Sequence, residues 1–226
     1  MGEKFLVKIF NRFCSIILIF TISVFIITLS TNMVFRSELV YNFYFNDTRA
    51  VDRVYTTLSS SEMAGEIAGF MNSWNPETFD VQEYTGYDME SVFTEEEGEN
   101  MMAVKRALDI SCILCIVSFI LTAGIYVHFL RDEKKKVLSD MFKVSIVMTL
   151  IMTGFEMLVM STHQGRDRLF EYIGIAAMGE ESQLLKLLGV DFLNMAVVFL
   201  SIITVIVMAA AIYVNYMLTK PPRLFY

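Results

Sequence analysis

The chain has 226 residues, 55% of them hydrophobic and 19% charged, with a mean hydropathy of +0.52. That composition excludes a disordered tail and an ordinary soluble domain. A net charge of −7, from 18 basic and 25 acidic residues, excludes a basic nucleic-acid module, and no nucleic-acid partner is expected. The three cysteines sit in or beside apolar runs, so they make no secreted-type disulfide framework and stability must come from helices packed in a membrane.

The first apolar run, residues 13–35, is long enough to cross ~30 Å of hydrocarbon at ~1.5 Å per residue. Lys4, Lys8 and Arg12 precede it as in a signal peptide, but the run exceeds the usual ~7–15-residue apolar core and no small-x-small cleavage site follows, so a retained anchor is expected. Further runs at 110–130, 144–162 and 194–218 complete four spans. The expectation is an all-α integral membrane protein with four transmembrane helices. Its parts would be 1–35 (N-terminus and first span), 36–108 (acidic segment), 109–162 (second and third spans with a basic loop at 131–143), 163–192 (amphipathic loop) and 193–226 (fourth span and tail).

Basic residues fix the orientation, because cytoplasmic flanks retain them. Lys4, Lys8, Arg12, Arg131, Lys134, Lys135, Lys136, Lys143, Lys220 and Arg223, ten of the 18, fall on one side of the four-span arrangement, which places both termini in the cytoplasm. Residues 36–108 carry 14 acidic and 5 basic groups and lie outside; residues 163–191 add three basic ones.

The outer segment reads as helical. Ser59 to Glu62 is a capping box, followed by Met63, Ile67, Phe70, Met71 and Trp74 at helical spacing, a stripe expected to pack on the rest of the outer segment. From Pro76 to Asp88 aromatic and polar residues mix without a period, which predicts an ordered loop. Thr94 to Glu97 is a second box, opening a helix that runs directly into the second span.

Few residues can carry chemistry. His128, near the inner end of the second span, reads as an interhelical hydrogen-bonding group, whereas His163 emerges with the third span on the outer side, beside Gln164, Arg166 and Asp167, where it could act as a base at headgroup depth. Glu156 lies in an apolar helix and needs a partner, with Thr149, Thr153 and Asn194 the available ones. Glu97, Asn100, Met101 and Val104 share one helix face, and Lys105 and Arg106 follow at the depth of a lipid phosphate or substrate headgroup. Cys112 and Cys115 read as buried thiols, and Asn46 to Thr48 matches a glycosylation sequon. No phosphate-binding loop, metal-ligand cluster or nucleophile elbow is present, so neither a metal nor a cofactor is expected.

The segment FTEEEGENMMAVK at 93–105 resembles the lipoprotein intramolecular transacylase family of Gram-positive bacterial membrane proteins, whose pattern at the second span is F-T-x-R-E-x-x-H-M-x-D-V-K. Phe93, Thr94, Glu97, Met101, Val104 and Lys105 match it; Asn100 stands at the family's histidine and Ala103 at its aspartate. Asn42, Phe43 and Tyr44 after the first span, the run from Leu184 to Leu188, and His163 in the region of a second family histidine agree more loosely.

The resemblance implies a bacterial plasma-membrane acyltransferase whose substrates are diacylglyceryl-modified lipoproteins in the lipid bilayer. It would move the sn-2 acyl chain onto the α-amine of the N-terminal cysteine, leaving a lyso-form. On this reading His163 is the base, Glu97 orients a partner, Asn100 or Arg166 donates to the oxyanion, and Lys105, Arg166 and Tyr44 contact substrate. An asparagine cannot shuttle protons near neutral pH, so the alternative is a non-catalytic membrane-binding or accessory relative. A small transporter is a third possibility, but it would need more polar residues through the bundle than Glu156, Asn194 and scattered Ser and Thr supply.

Overall fold

The computed structural model describes residues 2–74, 78–84 and 86–220, with side chains from residue 9 onward. Pro76 and Arg223 lie outside the described residues. In chain order the elements are α1 (Gly2–Phe35), α2 (Glu38–Thr48), a single 3-10 turn (Ala50–Arg53), α3 (Ser60–Asn72), β1 (Gln82–Tyr84), β2 (Met89–Ser91), α4 (Glu95–Arg131), α5 (Lys135–Ser161), α6 (His163–Ile173), α7 (Gln183–Leu188) and α8 (Val190–Thr219). Four of these helices, α1, α4, α5 and α8, are long and apolar enough to span a bilayer. The expected four-helix membrane architecture is present.

The chain divides into two compact units. Among the described residues the first contains 2–30, 112–155 and 202–220, the apolar bodies of the spans. Its core gathers Leu18, Ile22 and Ile26 of α1, Phe129 of α4, Leu138 and Phe142 of α5 and Met208 of α8. Apolar burial separates helices from lipid only weakly, so interhelical polar contacts add the specificity. Ser23 Oγ donates to the Ser145 carbonyl at 3.0 Å, Thr122 Oγ1 to Thr21 Oγ1 at 3.0 Å, and Tyr126 Oη to Asn215 Oδ1 at 3.0 Å. His128 bonds Asn11 Oδ1 at 3.1 Å, the interhelical role its position suggests.

The second unit contains 31–111 and 156–201, the connecting segments and the adjoining ends of the spans. At 37 residues α4 is ~55 Å long, well beyond the ~30 Å hydrocarbon thickness, and its first turn carries Glu95, Glu96 and Glu97. The aromatic cluster of Tyr41, Tyr44 and Phe45 on α2 packs on Phe192 of α8; Tyr41 stacks on Phe192 with centroids 5.3 Å apart. α7 packs on the 3-10 turn, and Gln183 Oε1 accepts from the Tyr55 N–H at 3.1 Å.

Three local readings need correction. The stretch read as an ordered loop contains the first strand of an antiparallel hairpin completed just beyond it, Gln82 opposite Ser91 and Tyr84 opposite Met89; the ribbon is short and mostly exposed, so it shows no alternating apolar signal. The Ser59 box forms as expected, with Ser59 Oγ accepting from the Glu62 N–H at 3.3 Å and Glu62 Oε2 accepting from the Ser59 N–H at 2.8 Å. Met63, Ile67 and Met71 are buried, but α3 ends at Asn72 and Trp74 is 100% exposed, so the stripe stops one turn earlier than its spacing suggests. Glu156 Oε1 accepts from Thr31 Oγ1 of α1 at 3.2 Å and not from Thr149, Thr153 or Asn194.

Candidate active site

The Thr94 box positions the first candidate group. Thr94 Oγ1 accepts from the Glu97 N–H at 3.3 Å and Glu97 Oε2 accepts from the Thr94 N–H at 2.8 Å, which seals the start of α4. The other carboxylate oxygen, Oε1, accepts from Ser182 Oγ and from the Leu184 N–H at 3.0 Å. Ser182 in turn caps α7, accepting from the Leu185 N–H at 3.1 Å. Glu97 is therefore a buried carboxylate surrounded by hydrogen-bond donors, joining the starts of two helices. Gly98 follows because the Phe79 carbonyl oxygen would lie 2.9 Å from a Cβ there.

Asn100, one turn on, is also buried. Its Oδ1 accepts from the Ala176 N–H at 2.7 Å and its Nδ2 donates to the Ala176 carbonyl at 3.4 Å. The amide thus pairs with both polar groups of one backbone residue, as a neighbouring strand would. The expectation that Asn100 donates to an oxyanion meets an amide already holding the 174–182 loop.

Lys105 and Tyr44 are likewise internal rather than presented to a headgroup. Lys105 is 2% exposed; its Nζ donates to the Ser73 carbonyl at 2.7 Å and the Met71 carbonyl at 3.4 Å, and lies 3.5 Å from Asp109. Those carbonyls end α3, where the helix dipole favours a cation. Arg36 reinforces the same junction, donating to the Met71 carbonyl and pairing with Asp109 at 2.6 Å. The sequence places Lys105 at headgroup depth and does not show that the end of α3 folds over it. Tyr44 belongs to the aromatic cluster and is 1% exposed.

His163 is different in every respect. It opens α6, whose N-cap Thr162 accepts from the Gly165 N–H at 3.3 Å. A Cβ at Gly165 would clash with the Val159 carbonyl oxygen, so only glycine permits this tight α5–α6 corner. The His163 side chain is 83% exposed and its Nδ1 lies 2.7 Å from Asp167 Oδ2, one turn along. A carboxylate can only accept, so Nδ1 carries a proton, and in the neutral form of the imidazole the lone pair is on Nε2. Arg166 is half-buried and donates to the Met160 carbonyl at 3.5 Å and Asn194 Oδ1 at 3.4 Å. Gly174, at φ 83°, ends α6, with the Ile175 N–H closing on the Phe170 carbonyl at 2.9 Å, and delivers Ala176 to Asn100.

Among the described residues Glu97 and Asn100 thus share the same partner segment, whereas His163 hydrogen-bonds to neither and pairs with Asp167 instead. Asp167, named beside His163 in the sequence but given no role there, is its hydrogen-bond partner, and the i, i+4 spacing on a helix is the signal for that pairing. No cluster of three or more His, Cys, Asp or Glu able to hold a metal occurs among the described residues.

A family model described as lipoprotein intramolecular transacylase Lit matches residues 16–173, which include the α4 entrance and the whole of α6. The chain belongs to the lipoprotein intramolecular transacylase family. Solved structures of the membrane-integral family protein Lit from Bacillus cereus share the fold. One carrying a histidine-to-alanine mutation superposes with a TM-score of 0.72 at 11% identity over 96% of this chain and 97% of that one. One with a histidine-to-arginine mutation gives 0.72 at 12% identity over 97% of each chain, and a third gives 0.68 at 12% identity over 94% and 97%. No curated protein matches. Family membership and four spans make the chain a multi-pass protein of the bacterial plasma membrane, and the family's activity is intramolecular acyl transfer on lipoproteins.

Proposed function

We propose that this chain transfers the sn-2 acyl chain of a diacylglyceryl lipoprotein to the α-amine of its N-terminal cysteine, on the outer face of the membrane with both chain termini inside. The His163–Asp167 pair carries the reading, since it lies within the segment matched by the family and holds an exposed imidazole with Nε2 free. The neutral amine attacks the sn-2 ester carbonyl, a C–N bond forms and the C–O bond to glycerol breaks. The proton lost from nitrogen passes to His163 Nε2 and on to the glycerol oxygen, which leaves as a hydroxyl. Arg166, three residues after His163 on α6, is the donor proposed for the developing oxyanion. Glu97 and Asn100 act as positioning residues that fix the loop following α6.

Asn100 favours a second reading. A side chain with both polar atoms on the Ala176 backbone has no proton-transfer role, so a relative that binds lipoproteins without acylating them fits that observation. The test is fragmentation mass spectrometry on a reporter lipoprotein from a bacterium lacking N-acylation. Acyl migration leaves the mass unchanged, so fragments must locate the chain. Acyl on the cysteine nitrogen, lost in His163→Ala, is the expected result. An unchanged diacylglyceryl form with good membrane expression supports the non-catalytic reading.

A further inference from the structure

A groove of about 680 Å³ lies between α2 and α8, lined by Leu39, Val40, Asn42, Phe43, Asn46, Asp47 and Phe199. That volume suits a small amphiphile. Its two chemistries are separate. Leu39 and Phe43 are exposed apolar residues on a helix directly after a membrane span, and Phe43 meets Phe199 edge-on with centroids 5.5 Å apart, forming an apolar floor. Along the same helix stand Asn42, Asn46 and Asp47. Asn46 Nδ2 donates to Asn42 Oδ1 at 2.9 Å, which leaves the Asn46 carbonyl oxygen as an acceptor, and the exposed Asp47 carboxylate lines the same groove. No cation pairs with Asp47 among the described residues, although Arg49 and Arg53 lie close in sequence. The sequon is thus part of the groove wall, with Thr48 turned back to the Tyr44 carbonyl at 2.8 Å.

We infer that this groove is a recognition subsite for the N-terminal diacylglyceryl-cysteine of the lipoprotein, with Asp47 and Asn46 receiving its α-ammonium and Phe43 and Phe199 an acyl chain. A carboxylate with no cation partner and an amide oxygen lining one groove suit a primary ammonium, and the Phe43–Phe199 contact in the same groove suits one attached to hydrocarbon. The inference rests on the proposed acyl transfer for the identity of the substrate. It assigns capture from the bilayer to α2 and leaves proton transfer to α6.

The experiment uses the full chain in phosphatidylglycerol–phosphatidylcholine nanodiscs, a synthetic fluorescent diacylglyceryl-cysteinyl peptide, and the same peptide N-acetylated. Asp47→Asn is expected to weaken binding of the free-amine peptide about tenfold, to the level of the N-acetylated one, which binds parent and variant alike. Phe199→Ala weakens both peptides, and Asp52→Asn, a nearby exposed carboxylate on the 3-10 turn, changes neither. Equal binding of the free amine by parent and Asp47→Asn overturns the subsite. So does full competition by phosphatidylethanolamine, which would make the groove a general site for ammonium lipids. Mass spectrometry of the same samples separates the two claims: transfer with unaltered Asp47→Asn binding overturns the groove alone, whereas amine-selective binding without transfer in the parent upholds the groove and overturns the enzymatic reading.

Discussion

The entrance of α4 and the start of α6 both carry side chains that the sequence marks as chemical, and they use them in opposite ways. At α4, Glu97, Asn100 and Lys105 are buried and meet backbone groups of other segments: Leu184, Ala176, Ser73 and Met71. At α6, His163 is exposed and its imidazole has one carboxylate partner. A buried polar group whose bonds are all made cannot also serve a substrate without unmaking them, at a cost of about 1–3 kcal/mol each. The polar groups of α4 are committed to architecture, and the proposed mechanism leaves proton transfer to α6.

The largest stability effect is expected at Glu97. Glu97→Ala strips partners from the buried Leu184 N–H and the start of α4, and should cost about 3 kcal/mol, read as a lowered unfolding midpoint of the membrane-reconstituted protein. Glu97→Gln keeps one acceptor and should lose less than half of that. Lys105→Met comes next, at about 2 kcal/mol, because the Ser73 carbonyl loses its donor and Asp109 keeps only Arg36. If Lys105→Met instead left stability unchanged and weakened lipoprotein binding, the division between the two regions would fail.

Asn100→Ala is expected to cost about 1–2 kcal/mol and to speed hydrogen exchange at the Ala176 amide. Asn100→His restores the family's residue; a faster acyl transfer in that variant would show that α4 retains the geometry for chemistry, and an unchanged rate would keep it structural.

Part of this was legible from residue order alone. The four spans, both capping boxes and the continuous α4 are local signals: apolar length and a Ser/Thr-x-x-Glu spacing act within one segment. The fates of Lys105, Tyr44 and Asn100 are not local. Lys105 at the edge of an apolar run looks the same whether lipid phosphate or the Ser73 carbonyl lies above it, and only the fold of α3 decides. Trp74 illustrates the converse, since its spacing from Phe70 fits a helix stripe but the helix ends two residues before it.

Smaller effects belong to the segment between α1 and α4. Glu83 Oε2 accepts from the Thr57 N–H at 2.6 Å and from the Thr56 and Thr57 hydroxyls, the backbone donor foremost, and these bonds hold its carboxyl below the usual glutamate range. A depressed folded value contributes stability above the unfolded glutamate range that is lost as pH falls through the folded value. Protection of the Thr57 amide should therefore fall on acidification in the parent and be low and flat in Glu83→Gln. Trp74→Ala, at a fully exposed site, should shift stability by less than about 0.5 kcal/mol.

The central claim is that proton transfer resides on α6, and the direct measurement is the initial rate of acyl transfer to the cysteine nitrogen in His163→Ala, with its unfolding midpoint measured alongside. The rate is expected to fall at least 100-fold, on the order of a lost general base, at an essentially unchanged midpoint. Transfer at the parental rate in a folded His163→Ala protein would contradict it.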